Sequence, residues 1–231
     1  MEGTEVRKLA ELEDDHWWYR ERRHLLAKAI TGLAPGRAID IGAAGGGNTR
    51  VLRDHGWQAV ALEYGADGAE VAHGRGLATL RGDATRLPLA DASLDLVVAF
   101  DLLEHLHDDD AAVAEVRRVL KPTGTYLVAV PADPRLWSSH DEAVDHVRRY
   151  TREGLLDLLD RGGFAVRDVR SWNVLLRPVV AMRRRTSSGS DLEDLHPVVN
   201  LGLRTIITAE RYLPVGSLPG VSLLVRAQPR S

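Results

Sequence analysis

Between residues 37 and 130, short apolar runs alternate with longer, polar, periodic ones, and this constrains the fold more than any other feature. The runs lie at 37–41, 58–62, 77–81, 94–100 and 125–130. The fourth reads LDLVVAF, which predicts a strand buried on both faces. The intervening segments suit helices at 45–55, 66–73 and 109–120, the last with an acidic first turn. Pro122 and Gly124 are expected to close that helix before the fifth strand. Strands alternating with helices at this spacing predict a parallel, doubly wound α/β sheet. Such sheets bind ligands outside the carboxyl ends of their strands. That rule points to residues 40–47, Glu63, Asp83 and residues 100–105.

The flanks have a different texture. Residues 5–31 read as one helix, ended by Pro35-Gly36. Residues 132–150 are polar and irregular, rich in His, Asp, Arg and aromatics. A helix is expected at 151–161, a strand at 164–172, a helix–loop–helix insert at 173–212 and a last strand at 221–227.

Composition excludes several classes of protein. The absence of Cys rules out disulfides, thiolate metal sites and a Cys nucleophile. A net charge of -3 argues against a chain that lives on phosphate backbones. No apolar stretch is long enough to span a bilayer, and the acidic start lacks a signal-peptide pattern. A cytoplasmic location is the expectation.

The loop after the first strand runs Asp40-Ile41-Gly42-Ala43-Ala44-Gly45-Gly46-Gly47. Glycines let a ligand approach the backbone, and the following helix aims its amides into the same space. Asp40 would repel a pyrophosphate there and favour a ligand carrying positive charge. Glu63, 23 residues on, can accept hydrogen bonds from both hydroxyls of a ribose, and Asp83 from an adenine amine. Three carboxylates at successive strand ends describe a positively charged nucleoside, S-adenosylmethionine. A nicotinamide-dependent oxidoreductase fits less well, since no Tyr-x-x-x-Lys pair is present.

The blocks AIDIGAAGGGNT, VALE, RGDATRLPLADASLDLVVAFDLLEHL, VRRVLKPTGTYLVAVP and YTREGLLDLLDRGGF together resemble the class I S-adenosylmethionine-dependent methyltransferases. The resemblance implies a Rossmann-like sheet of seven strands, the last antiparallel. It implies one domain over 1–231, with a helical lid at 1–34, a cofactor-binding core at 35–131, and a substrate loop, helical insert and last two strands at 132–231. It places Gly42, Gly46, Glu63 and Asp83 at the cofactor; Asp40, Tyr64, Ala84 and Phe100, at the same strand ends, are further candidates to bind it. Trp18 or Tyr19 of the lid helix is expected over the cofactor, with Arg20 or Arg23 near its carboxylate. The family's middle glycine is Ala44 here.

Methyl transfer needs alignment above all, and a general base where the acceptor is a hydroxyl. His105, His140 and His146 are the candidate bases, and Trp137, Arg148, Arg149 and Tyr150 the candidate acceptor-binding residues. The expected acceptor is a small molecule of secondary or cell-envelope metabolism, methylated on O before N or C. Alternatives are an RNA or protein acceptor and a divalent-metal-assisted O-methyltransferase. The metal alternative rests on Asp101-x-x-Glu104-His105, with His146. That block resembles one in ubiquinone-pathway O-methyltransferases and small-RNA 2′-O-methyltransferases. The insert reads as an extra cover, with an apolar lining for a greasy acceptor, or as a dimer surface.

Overall fold

A computed structural model describes residues 12–186 and 195–230. In chain order the elements are α1 (Trp17–Ile30), β1 (Arg37–Ile41), α2 (Gly47–Asp54), β2 (Gln58–Glu63), α3 (Ala66–Gly74), β3 (Ala78–Arg81), β4 (Leu94–Phe100), α4 (Asp109–Val119) and β5 (Leu120–Pro131). Then come α5 (Ser139–Ala143), α6 (Arg152–Arg161), β6 (Phe164–Trp172), α7 (Arg177–Thr186), α8 (Pro197–Glu210) and β7 (Ser222–Pro229). The seven strands form one sheet in the order β3-β2-β1-β4-β5-β7-β6. The first five are parallel, and β7 runs antiparallel between β5 and β6. The Rossmann-like doubly wound sheet expected from the sequence is the sheet observed.

The pleat explains the double burial. Ile39, Ile41, Val97, Ala99 and Val128 point to one face, against Val113 and Val116 of α4 and Leu155 and Leu158 of α6. Ala38, Leu96, Val98 and Leu127 point to the other, against Leu26 and Ile30 of α1 and Leu52 of α2. Successive side chains alternate, so both faces are apolar only where the run is nearly continuous. Asp95, the one charge in β4, accepts from Arg37 N–H at 2.9 Å and pairs with Lys121 at 2.7 Å.

Three boundaries depart from expectation. The described start of the first helix is Trp17, after a turn at 13–15; residues 5–11 lie outside the described residues. His16 caps it, accepting from Trp18 N–H through Nδ1 at 3.3 Å. β5 starts at Leu120, with Pro122 and Gly124 inside it, because Leu120 already pairs with Leu94 across a register shift. Residues 132–150 are not irregular throughout: Ser138 and Asp141 form a reciprocal capping box that starts α5.

Candidate functional site

A cavity of about 290 Å³ opens at the carboxyl ends of β1, β4 and β5. Its floor is the glycine loop, through Gly42, Ala43, Ala44, Gly45, Gly47 and Asn48. Gly46 takes φ +81° and caps α2, a left-handed conformation that suits glycine. One wall comes from α1, through Trp17, Trp18, Tyr19, Arg22 and Arg23. Another comes from the insert, through Leu176, Val179, Val180, Leu195 and Leu203. The polar wall holds Glu104, His105, His140, His146 and Arg149.

Arg22 is buried in that space. Its guanidinium pairs with Asp101 and stacks over Phe100 at 4.9 Å from the ring centre. Trp18 and Trp172 stand 6.0 and 5.9 Å away. Burial pulls its pKa down to about 10. Of the expected lid residues, Trp18, Tyr19 and Arg23 face the cavity. Arg20 does not, and is exposed. Sequence reasoning missed Arg22, although it lies four residues after Trp18, on the same helical face.

The polar wall is organised around Asp141, which was also missed. Its carboxylate accepts from Ser138 N–H at 3.0 Å, Arg149 at 2.8 Å and Arg184 at 3.3 Å. Burial would raise its pKa, but the hydrogen bond from His146 and the charges of Arg149 and Arg184 hold it down at about 2. His146 Nδ1 lies 2.8 Å from the same carboxylate. A carboxylate only accepts, so Nδ1 carries the proton and Nε2 keeps a lone pair in the neutral ring. Nε2 lies 3.8 Å from Glu104. Glu104 is fully buried, and neither carboxylate oxygen has a hydrogen-bond partner among the described residues. Burial drives its pKa up to about 8. The His105 ring packs edge-on to His146 at 4.8 Å, and its pKa is lowered to about 4 by burial and that neighbour. His140 is 6.2 Å from His146, so the sheet brings all three candidate histidines together.

Other expected residues fall elsewhere. Tyr150 is a correction: its hydroxyl donates to Asp109 at 2.6 Å and to Leu103 O, inside the core. Arg148 pairs with Asp109 and donates to His107 O, outside the cavity lining. Trp137 borders a separate groove with Arg135, Arg177 and Arg184. Arg149 faces the cavity but is committed to Asp141, Ala132 O and Val221 O.

The strand-end acids differ among themselves. Asp40 is buried under the loop, bonded to the Thr49 hydroxyl at 2.8 Å, and does not line the cavity. It props the loop. Glu63 accepts from Ala44, Tyr64 and Gly65 N–H groups at 2.8, 3.1 and 3.2 Å. A carboxylate offers about four lone-pair sites, so one remains for a ribose hydroxyl rather than two. Asp83 is exposed and both of its bonds, to Thr85, fall on Oδ1, leaving Oδ2 outside them. Ala84 is buried in the core and Tyr64 is exposed; neither lines the cavity. This donor set suits S-adenosylmethionine: acids on the open side of the loop for the nucleoside, and a lined cavity on the other.

Residues 39–128 match the protein family described as "Methyltransferase domain". A Mycolicibacterium smegmatis protein named "Probable S-adenosylmethionine-dependent methyltransferase/" is 31% identical over 172 residues, covering 71% of this chain and 66% of that protein. The chain thus spans about two thirds of that relative's length. The YcgJ methyltransferase of Bacillus subtilis, named as uncharacterized, is 29% identical over 74% of each chain. Its crystal structure aligns over 92% of this chain and 99% of its own, with a TM-score of 0.65. A demethylmenaquinone methyltransferase of Renibacterium salmoninarum is 35% identical over 50% of this chain and 49% of its own. With the five sequence blocks set on this sheet and its glycine loop, the chain belongs to the class I S-adenosylmethionine-dependent methyltransferases.

Proposed function

We propose that the chain methylates a small-molecule acceptor held in the cavity, on oxygen in preference to nitrogen or carbon. The observation that carries this reading is His146 in the cavity lining, backed by the buried Asp141 carboxylate at 2.8 Å from its Nδ1. S-adenosylmethionine, when bound, supplies a methyl carbon activated by a sulfonium. Glu63 and Asp83 would hold its nucleoside, and the loop amides and α1 its amino-acid end. His146 would take the acceptor's hydroxyl proton at Nε2, and Asp141 would stabilise the imidazolium. Leu176, Val180 and Leu203 would exclude water and hold an apolar acceptor body.

The test begins with calorimetric titration of S-adenosylhomocysteine, with NAD⁺ in parallel. Micromolar binding that is lost in Glu63→Ala supports the cofactor placement, and preference for NAD⁺ refutes it. Methyl-labelled cofactor and a small-molecule extract then reveal the acceptor. His146→Asn should cut turnover about 10²–10⁴-fold while S-adenosylhomocysteine still binds. Label in RNA or protein would refute the small-molecule reading.

A second reading is favoured by one observation. Donor atoms of Glu104, His105 and His146 lie within 4.8 Å of one another, and the Glu104 carboxylate lacks partners. Carboxylate and imidazole suit a divalent cation, which would polarise an acceptor oxygen. Asp101 is committed to Arg22 and so stands outside this group. Thermal stabilisation by Mn²⁺ or Zn²⁺, abolished in Glu104→Gln, supports it; an unchanged melting temperature refutes it.

A further inference from the structure

We propose that the acceptor is a polyol with an apolar body, methylated on one of two neighbouring hydroxyls, and that Glu104 and Asn173 hold the hydroxyls left unmethylated. This deepens the proposed function and rests on its reading of the cavity as the acceptor site. Glu104 and Asn173 both line the cavity and are buried. Among the described residues, neither Glu104 oxygen nor Asn173 Oδ1 has a hydrogen-bond donor. Asn173 is fixed in place: its N–H donates to Glu210 at 2.8 Å, and its φ of +61° is a left-handed conformation that Asn tolerates. Buried acceptors are nearly always paired, and one left alone destabilises the fold. These three oxygens therefore mark where the donors of a ligand go. His146 Nε2 is a fourth acceptor, 3.8 Å from Glu104. At that separation each can take its own hydrogen bond from two hydroxyls on adjacent carbons. One hydroxyl gives its proton to Nε2 while its oxygen takes the methyl group, the carbon–sulfur bond breaks and S-adenosylhomocysteine leaves. Its neighbour donates to Glu104 and stays unmethylated.

Charge and hydrogen-bond capacity select a polyol over an amine. The positive charges of Arg22 and Arg149 already act on Glu104, so its carboxylate lacks a donor and not a counter-ion. Arg22 Nε, in the same lining, is a buried donor without a hydrogen-bond partner. A hydroxyl oxygen can accept from it while its own proton goes to an acceptor; an ammonium group has no lone pair to offer. Leu176, Val180 and Leu203 supply the lining for the apolar body.

The test is saturation-transfer NMR of the full chain, loaded with S-adenosylhomocysteine, against hexyl β-D-glucopyranoside, 1,6-hexanediol and hexylamine. The glucoside, with adjacent hydroxyls, should bind about tenfold or more tighter than the diol, whose hydroxyls are far apart, or the amine. Glu104→Met and Asn173→Gly should each weaken glucoside binding about tenfold. Glycine suits the backbone at 173, and S-adenosylhomocysteine affinity should be unchanged in both variants, showing an intact fold. Glu104→Gln keeps an accepting oxygen and should restore binding to within about threefold of the original. No preference for the glucoside, in a chain that binds S-adenosylhomocysteine, overturns the proposal and leaves the methyltransferase reading standing. Tighter binding of hexylamine overturns it in favour of an amine. Glucoside binding that EDTA abolishes also overturns it, since a cation would then hold the hydroxyls. Failure of the unaltered chain to bind S-adenosylhomocysteine would instead refute the proposed function.

Discussion

Ala44 sits in the glycine loop at φ +47°, a left-handed conformation that costs an L-residue about 1–2 kcal/mol. Its N–H nevertheless donates to Glu63 at 2.8 Å, so the extra methyl strains the loop without dislodging it. Ala44→Gly should therefore raise stability, by up to about 1 kcal/mol in denaturant unfolding, with S-adenosylhomocysteine affinity kept. A loss of stability would mean that the loop relaxes differently. Asp40 makes a prediction about pH. Burial raises its pKa from 3.8 to about 7, against the Thr49 hydrogen bonds. Over that interval the folded chain retains a proton that the unfolded chain has released. Its contribution to stability is therefore greatest below pH 4, falls as pH rises to about 7, and is level above. Asp40→Asn keeps an acceptor for Thr49 and should flatten that fall in a melting-temperature profile. An unchanged slope would show that Asp40 ionises normally.

Elements place the site by how closely they approach. α3 crosses β2 at Gly68, where an added Cβ would meet Glu63 Cγ at 2.8 Å and Ala44 O at 3.3 Å. Gly68→Ala should push Glu63 off the loop and weaken S-adenosylhomocysteine binding at least tenfold by calorimetry. Gly74→Ala, at the end of the same helix with nothing within 4 Å, is the control. It should leave affinity unchanged and raise stability by about 0.5–1 kcal/mol. If both variants bind equally, Glu63 is not set by α3. The sequence marked Glu63 as a strand end, but not that a helix from 66 to 74 needs glycine to pass it. That requirement comes from a packing distance and not from a pattern along the chain.

At the scale of the molecule, Asp141 ties the segment after β5 to the insert, through Ser138, His146, Arg149 and Arg184 of α7. Removing one partner of a buried charge cluster leaves the others uncompensated. Asp141→Ala should cost about 3–5 kcal/mol in chemical denaturation, far more than Asp110→Ala at the exposed pair with Arg161. Equal losses would contradict the network. α1 and α8 are joined likewise, by the Glu21–Arg211 ion pair, so the cavity walls are braced to each other as well as to the sheet.

Pattern along the chain is enough to specify the sheet, the glycine loop and the three strand-end acids. Those follow from local rules: pleat alternation, helix period, and glycine where the backbone turns left-handed. The capping box at Ser138 and Asp141 was equally local and legible, though its second task was not. Tertiary structure alone decided which groups share the cavity. It buried Asp40 and Tyr150 away from it, set Arg22 against Phe100, and brought His146 to Asp141 and Glu104. These outcomes depend on how α1, the segment after β5 and the insert close over the same strand ends. Ion pairs and buried acids form between residues far apart in the chain, where no period or spacing encodes the distance.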